Sequence, residues 1–446
     1  MHKRAEITQY GAKADGMLCT EHIQHAIDDC FLSGGGVVVV PSGTFRTGSV
    51  RLRSNVTLYL MENARLEGST NPEDYNGYLN DTVEPIKPEY KTDDLWKSVS
   101  ERKNHNYSRL PAGRWNNAII RAIDAENISI IGENSSEIDG MDCFDEKGEE
   151  HYRGPHAINM HYCKNITLRG YRVRNSANWA HALYQCSNIL IDNVEVIAGH
   201  DGVHITSCEN TGITNCRFYT GDDCIAGIDN VNTTVSDTEL NTACSAFRFG
   251  GTNMLAQNCR IYGPAKYLFR GSLSDEEKRS RKVTGKNTDH RYNMLSLFTY
   301  YSDFSREILH APGNIVLKDC TVENADRFLH YNFSGNEPWQ LNKPLESISF
   351  ENISAKGVKM PLTAYGAESD PLVCRLRNCT IDFDSAAGDV PFMKAAHFEQ
   401  ILLDNVTVTG LHMPVIKKWT DGKFTFTDST VCSVEQVEEE FYSQSI

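Results

Sequence analysis

The feature that most restricts how this chain can fold is a run of consecutive segments of nearly equal length. Five segments follow one another without a gap between residues 163 and 272, and each carries an Asn near its start. These marker residues are Asn165, Asn188, Asn210, Asn232 and Asn253, which are separated by steps of 23, 22, 22 and 21 residues. A sustained period of this length is typical of a solenoid protein.

Each segment contains short stretches of alternating apolar residues, such as 189–191 and 203–205. Alternation over so few residues favours strands rather than helices. Three strands and three turns in one period form one coil, and coils of this kind stack at the spacing of neighbouring strands, about 4.8 Å. We therefore predict an all-β fold, a single-stranded right-handed parallel β-helix. Weaker copies before and after the run extend this prediction to one β-helix domain over residues 1–446.

In stacked coils, equivalent residues form ladders. An Asn at a turn can bond to the coils above and below, and an inward Cys packs as a small apolar residue. We assign these ladder roles to the five marker Asn residues and to Cys163, Cys186 and Cys208.

Residues 18–36 predict a helix that caps the open first coil, as solenoids require. Thr20 fits the N-cap position, and residues 34–36 are glycines that would end the helix.

Two long segments, 73–116 and 272–311, interrupt the repeat and are expected to flank the cleft. Their aromatic residues Trp96, Tyr107 and Trp115 fit either stacking on a sugar or packing over the solenoid.

The formal net charge of −15 argues against nucleic acid or an anionic membrane as the main partner. Residues 1–16 contain no apolar stretch of signal-peptide length, and no window approaches the roughly 18 apolar residues of a membrane span. We expect a cytoplasmic protein, in which the 14 cysteines are reduced thiols.

The period also indicates which side chains lie side by side on successive coils. Steps of 23, 22, 22 and 22 residues give one column that contains Asn178, Asp201, Asp223, Ser245 and Tyr267. Asp222 precedes Asp223 and occupies the coil position of His200 one turn below. The sequence therefore predicts three carboxylates, Asp201, Asp222 and Asp223, within one or two coil spacings.

A second column lies beside these carboxylates. If Val203 and Ile205 point inward, His204 points outward, and the same steps give the column His181, His204, Ala226, Arg248 and Arg270. Four of these five side chains can be cationic, so the column predicts a local site for an anionic group. The motif "HDGVH" also suggests a metal site. A strand would turn Asp201 away from both histidines, however, so we predict no metal.

Three neighbouring carboxylates cannot all remain ionised cheaply, so one is expected to keep a proton beside ionised neighbours. Hydrolysis of a glycosidic bond needs an acid on the leaving oxygen and a base on water, about 6.5–9.5 Å apart when the reaction inverts the anomeric centre. The alternative for any single Asp is a turn cap that bonds backbone amides.

The chain resembles glycoside hydrolase family 28, the polygalacturonase-like enzymes, over roughly residues 5–410. The resemblance rests on the opening "YGAKADG", on "GDDCIA" at 221–226 and on "HDGVHI" at 200–205, where the family has Asn-Thr-Asp-Gly and an apolar strand. It implies an inverting hydrolase of α-linked uronates without metal or organic cofactor. Asp222 would be the general acid, and Asp201 and Asp223 would activate water.

The chain departs from the family at several positions. The family commonly has Gly-His-Gly where "CSAFRFGG" places Ser245, and its Arg-Ile-Lys substrate clamp is matched only by Arg270 in "YLFRGS". Some relatives that cut the rhamnose-galacturonate backbone also lack this His. We therefore expect His181, His200, His204, Ser245, Arg248 and Arg270 to bind substrate.

The resulting hypothesis is an exo-acting glycosidase that trims galacturonate-containing oligosaccharides. A rhamnogalacturonan-type hydrolase, a polysaccharide lyase and a non-catalytic carbohydrate-binding β-helix remain the alternatives.

Overall fold

The computed structural model describes residues 3–75, 113–284, 290–302, 308–333, 343–431, 433–439 and 441. Its regular structure consists almost entirely of parallel strands that form a right-handed parallel β-helix. The predicted fold class is therefore confirmed. The chain divides into two compact units: an N-terminal unit, Met1–Asp222 with Tyr267–Arg291, and a C-terminal unit, Asp223–Lys266 with Tyr292–Ile446.

The N-terminal unit contains three ladders of parallel strands. The first is Lys3–Glu6, Gly36–Val40, Val56–Leu60, Glu126–Gly132, Lys164–Arg169, Ser187–Asp192 and Glu209–Thr214. The second is Gly43–Thr47, Ala64–Gly68, Glu137–Asp139, Arg172–Arg174, Glu195–Ala198 and Arg217–Thr220. The third, called ladder A, is Val50–Arg51, Ala118–Ile123, His156–His161, His181–Tyr184 and Val203–Thr206.

The C-terminal unit also contains three ladders, and four long strands each take part in two of them. The ladder called ladder B comprises the first halves of Ile225–Ser236 and Ser245–Gln257, then Met294–Tyr300, Ala325–Asn332, Leu362–Tyr365, Met393–Ala396, Val415–Lys418 and Ser433–Gln436. The next comprises the second halves of those two strands, then Gly313–Lys318, Ser347–Glu351, Leu372–Phe383, Phe398–Thr409 and Lys423–Thr427. The third comprises Glu239–Thr242, Arg260–Tyr262, Thr321–Glu323, Ser354–Val358 and the ends of Leu372–Phe383 and Phe398–Thr409.

The marker Asn residues form the predicted ladders. In the N-terminal unit the side-chain amide of Asn188 donates to Asn165 Oδ1 at 3.0 Å, and that of Asn210 donates to Asn188 Oδ1 at 3.2 Å. In the C-terminal unit the same bonds join Asn232, Asn253 and Asn314. Each marker residue has φ between 55° and 59°, a left-handed conformation that Asn tolerates better than most side chains. The repeat is therefore specified both by backbone conformation and by side-chain bonds between coils.

The cysteines of the repeat face the core, as predicted. Cys163, Cys186 and Cys208 are buried, and their thiols donate to backbone carbonyl groups, for example Cys163 Sγ to His161 O at 3.2 Å. All 13 cysteines among the described residues carry free thiols.

The N-terminal helix, Thr20–Leu32, lies within the predicted range and buries Ile23, Ala26 and Ile27. Its N-cap is Cys19, so the assignment of Thr20 to that position is wrong. The Thr20 hydroxyl instead accepts a hydrogen bond from the backbone N–H of Gly48 at 2.8 Å, which ties the start of the helix to a coil of the solenoid. No helix in the described part of the chain is long and apolar enough to cross a membrane.

The two predicted insertions are described only in part. Trp96 and Tyr107 lie outside the described residues, whereas Trp115 lies in the 3-10 helix Arg114–Asn116. The second segment contains a short helix, Asp275–Ser280, and the strand Met294–Tyr300, which pairs within ladder B. The repeat therefore resumes inside the range 272–311. The prediction of a single domain stays a prediction.

Candidate active site

Asp201 ends the turn that precedes the strand Val203–Thr206 of ladder A. Its Oδ2 accepts a hydrogen bond from His204 Nδ1 at 2.8 Å, and only 4% of the Asp201 side chain and 5% of the His204 side chain are exposed. When Asp201 is ionised its carboxylate can only accept hydrogen bonds, so Nδ1 is then the donor. His204 therefore fixes the orientation of the Asp201 carboxylate.

The His204 ring is itself held by Trp179. The two rings are stacked with their centroids 3.7 Å apart and an interplanar angle of 4°. Trp115 packs edge-on against Trp179 at 5.1 Å, and its Nε1 donates to the Tyr184 hydroxyl at 3.2 Å. The sequence allowed Trp115 either to stack on a sugar or to pack within the protein. In the structure it packs within the protein. The half-buried Trp179, which the sequence reasoning did not select, lies next to the candidate catalytic groups.

Asp222 follows the strand Arg217–Thr220, and 15% of its side chain is exposed. Its Oδ2 lies 3.8 Å from Nη2 of Arg153, which is within ion-pair range but too long for a hydrogen bond. Arg153 is buried and also approaches Glu149 and Glu150, at 3.6 and 3.0 Å. Burial opposes the charge on Arg153, but these acidic neighbours raise the pKa of Arg153 well above its ordinary value, so it is a permanent cation beside Asp222.

His200, expected one coil below Asp222, is completely buried in the N-terminal unit. It stacks on Tyr152 with the ring centroids 5.8 Å apart. Burial, followed by the charges of Arg153 and Arg270, lowers the pKa of His200 well below its ordinary value. Neither ring nitrogen has a hydrogen-bond partner among the described residues. His200 is therefore a neutral imidazole, which can donate one hydrogen bond and accept another.

Asp223 begins the C-terminal unit, and its side chain is completely buried. Its Oδ1 accepts a hydrogen bond from the backbone N–H of Ser245 at 2.9 Å, and its Oδ2 lies 3.7 Å from Arg248 Nη1. Asp223 and Ser245 thus lie on successive coils, as the period predicts. The Ser245 hydroxyl donates to Thr299 Oγ1 at 3.2 Å, so Ser245 contacts Asp223 through its backbone.

Arg248 occupies its predicted place in ladder B, where the register pairs it with Ala226. Its guanidinium lies over the ring of Tyr301, 4.2 Å from the centroid, and 28% of its side chain is exposed. A cation that stacks on an aromatic ring and also reaches solvent can bind an anionic ligand.

The prediction that His181 faces outward in one column with His204 is wrong. The register pairs His181 with Val203 and pairs Ala182 with His204, a step of 22 residues rather than 23. A slip of one residue moves a side chain to the opposite face of a strand. His181 therefore points into the core, where Tyr171 donates to Nε2 at 3.0 Å and Nδ1 donates to Gly202 O at 2.9 Å.

The buried position of His181 predicts a pH-dependent stability. Burial lowers the pKa of His181 from 6.5 to about 4, so between these values the unfolded chain binds more protons than the folded chain. The free energy of unfolding is therefore expected to fall as the pH is lowered from 6.5 to 4, by at most about 1.4 kcal/mol per pH unit for this group. In urea titrations, His181→Gln should flatten this decline. The same change at the exposed His412 should not, and equal slopes for both variants would contradict the assignment.

The prediction that Arg270 continues the Arg248 column is also wrong, because the next strand of ladder B pairs Arg248 with Thr299. Arg270 lies in the 3-10 helix Arg270–Ser272 of the N-terminal unit and is buried. Its guanidinium donates to the backbone carbonyl of Asp142 at 2.7 Å and pairs with the carboxylate of that residue at 3.2 Å. The Arg270 side chain thus bonds within the protein rather than pointing towards a ligand.

Tyr267, the last member of the predicted carboxylate column, likewise lies outside the strands. Its hydroxyl bonds to Asn175 and Asp142 at 3.2 and 3.3 Å. The strand that follows Ser245 in the register is instead Met294–Tyr300.

The three candidate carboxylates therefore have different environments. Asp201 and Asp223 are almost fully buried, and each accepts a hydrogen bond. Asp222 is the most exposed of the three. Carboxylates in such unequal surroundings can take separate roles in one reaction.

Known proteins resemble this chain over the range that contains the three carboxylates. The model of the family described as glycosyl hydrolases family 28 matches residues 103–265, a range that contains all three carboxylates. Over 237 residues the chain is 27% identical to a probable polygalacturonase of Vitis vinifera, which corresponds to 50% of this chain and 43% of that protein. Over 251 residues it is 28% identical to an exo-poly-alpha-D-galacturonosidase of Dickeya chrysanthemi, which corresponds to 50% of this chain and 41% of that protein.

A solved structure shares the fold over nearly the whole chain. The family 28 exopolygalacturonase of Yersinia enterocolitica matches with a TM-score of 0.66 at 18% identity, covering 97% of this chain and 78% of that chain. The fold is the parallel β-helix of that structure. Over residues 103–265 the chain is similar to glycosyl hydrolases family 28. It spans less than half the length of the two curated relatives that it matches.

Proposed function

We propose that the protein is a glycosidase that hydrolyses α-linked, galacturonate-containing oligosaccharides with inversion at the anomeric carbon. The family match and the galacturonan-cleaving names of the curated relatives support this activity and substrate class. The observation that carries the proposal is the unequal environment of the three carboxylates, because an inverting glycosidase needs one acid and one base with separate roles.

In this proposal Asp222 donates a proton to the leaving oxygen, and Asp201 and Asp223 activate water. The bond from His204 orients the Asp201 carboxylate, which takes the proton of the attacking water in this proposal. Arg153 is a fixed positive charge near Asp222 and stabilises its carboxylate after the proton has left. No cofactor takes part.

The substrate is proposed to be anionic. Arg248 is partly exposed and stacked on Tyr301, so it can bind a uronate carboxylate. The His200 ring is completely buried and neither of its nitrogens has a partner within the described structure, so a bond to a sugar hydroxyl would require the residues that cover the ring to move. Arg248 and His200 remain from the substrate-binding set predicted from the sequence, whereas His204 positions Asp201. Ser245 contributes its backbone N–H, which bonds to Asp223, whereas the side chains of His181 and Arg270 bond within the protein.

Exo action and a cytoplasmic location complete the proposal. The segment 73–116, and the segment 272–311 up to the strand Met294–Tyr300, fall outside the sequence repeat and are long enough to close one end of a cleft. The Dickeya chrysanthemi relative is named as an exo-acting enzyme, which supports removal of sugars from a chain end. A cytoplasmic enzyme would receive imported oligosaccharides rather than polymer.

The test is to incubate the protein with galacturonate and rhamnogalacturonate oligosaccharides and to follow reducing ends and ultraviolet absorbance together. New reducing ends without absorbance are the expected result, and the panel identifies the sugar. A parallel rise in absorbance would indicate an unsaturated product and a lyase. Binding without either signal would indicate a non-catalytic carbohydrate-binding β-helix.

A further inference from the structure

One outward-facing column of ladder B continues well beyond Arg248. The register pairs Arg248 with Thr299, and the column then runs through His330, Thr363, Lys394 and Lys417. The direction of these side chains follows from their neighbours along the chain. In the last three strands the residue just before the column member is completely buried: Leu362, Met393 and Ile416. Since neighbours alternate between faces, the column faces away from the core; His330 and Thr363 in its middle are nevertheless only 6% and 5% exposed.

The column is rich in positive charge. Arg327 comes from the same strand as His330 and donates from Nη1 to Thr363 Oγ1 at 3.0 Å, which brings its guanidinium to the column. No acidic residue lies in the column between Arg248 and Lys417; the first is Glu435, one strand further on. The column thus combines two arginines, two lysines and one histidine in a chain of net charge −15.

Lys394 and Lys417 form no ion pair with any residue that the structure describes. Both are half-buried, they lie on adjacent strands, and within the described residues neither is within 4.0 Å of a carboxylate. Burial, followed by the charges of Arg327 and Lys417, lowers the pKa of Lys394. Like charges on neighbouring strands repel one another, so this arrangement costs stability unless an anion is bound.

The dimensions of the column suit a linear ligand. From Arg248 to Lys417 the column crosses five strand spacings, or roughly 24 Å at about 4.8 Å per strand. An oligosaccharide with a carboxylate on each sugar presents negative charge at regular intervals over such a length. Trp419, two residues beyond Lys417 and half-buried, adds an aromatic ring of the kind that packs on sugar faces.

We propose that this column, the basic track, is an accessory binding site for linear oligosaccharides that carry a carboxylate on successive sugars. The track begins in the unit that holds Asp223, one strand from Ala226, so it receives the part of a long substrate that extends from the candidate active site. In that respect it rests on the proposed function. The track would make the protein prefer longer uronate chains and hold them between successive cleavages.

The test measures binding of galacturonate oligomers by calorimetry, using the full chain with Asp222→Asn to prevent turnover. The double variant Lys394→Gln, Lys417→Gln is compared with Lys356→Gln, Lys423→Gln, which removes the same charge from exposed positions elsewhere in the C-terminal unit. We expect the track variant to lose about five- to tenfold in affinity for an octamer and less for a dimer, with a smaller difference at high salt. Equal octamer affinities for the two double variants would overturn the proposal.

Two further results separate this proposal from the enzymatic one. If the parent chain hydrolyses no oligosaccharide but the octamer still binds in a lysine-dependent way, the track stands and the proposed activity fails. If the parent hydrolyses galacturonate oligomers and binding does not depend on these lysines, the activity stands and the track fails. Binding of dextran sulfate as tight as that of the octamer would overturn the assignment to carboxylates spaced along a sugar chain.

Discussion

Replacing Asp222 with Asn is expected to lower kcat for oligogalacturonate hydrolysis by about 10²–10⁴-fold, because an amide cannot give a proton to the leaving oxygen. Asp222 is the most exposed of the three carboxylates, and its guanidinium neighbour Arg153 lies at 3.8 Å. Asn has nearly the same shape, so KM should change little. Initial rates and substrate binding measured on the same preparation check both expectations.

The matched control for this variant is Asp124→Asn. Asp124 is an exposed aspartate of the same unit, and its φ of 55° suits Asn as well as Asp. It should retain parental kcat and KM. A substrate whose leaving group needs no proton, such as an activated aryl glycoside, should restore much of the activity of Asp222→Asn. If Asp222→Asn turns over oligosaccharides at the parental rate, Asp222 is not the general acid.

The parts of the fold that repeat could be predicted from the sequence. Asn188 shows why: the same residue type satisfies the left-handed turn and bonds to the Asn of the adjacent coil, so the repeat is visible as an Asn every 21 to 23 residues. The buried cysteines follow the same period because equivalent positions on every coil face the same core.

The register within the repeat was harder to predict, as His181 shows. The coils differ by one residue in length, and the sequence does not say which turn takes up the difference. A step of 23 places His181 beside His204, whereas the observed step of 22 places it beside Val203 and inside the core. One residue in a turn thus decides whether an imidazole faces solvent or is buried.

Contacts made by residues outside the repeated strands could not be predicted from the period of the sequence. Arg153 lies in the irregular segment before the strand His156–His161, and its approach to Asp222 joins residues 69 positions apart. Trp179 lies in a turn, and its ring reaches His204 only because folding brings neighbouring coils together. For Trp179 the only available signal was a large aromatic residue just before a strand of the candidate cleft.

The second large effect is expected at His204, which acts as a positioning residue for Asp201. His204→Ala removes the donor that holds Asp201 Oδ2 at 2.8 Å and loosens the orientation of the carboxylate. Misplacing a catalytic group by about 1 Å can cost up to 10²-fold, so we expect kcat to fall by about 10–100-fold with a smaller change in KM. Steady-state kinetics on a galacturonate oligomer measures both.

The conservative variant distinguishes positioning from folding. In His204→Asn the side-chain amide nitrogen lies near the place of Nδ1 and can still donate to Asp201, so it should recover part of the lost kcat, although it loses the stacking on Trp179. Trp179→Phe, which retains an aromatic surface behind His204, should cost less than Trp179→Ala. If the Ala and Asn variants at 204 lose activity equally while both remain folded, the bond to Asp201 is not what His204 contributes. Equal kcat in His204→Ala and the parent would remove His204 from the site altogether and leave Asp223, held by Ser245, as the better candidate for the base.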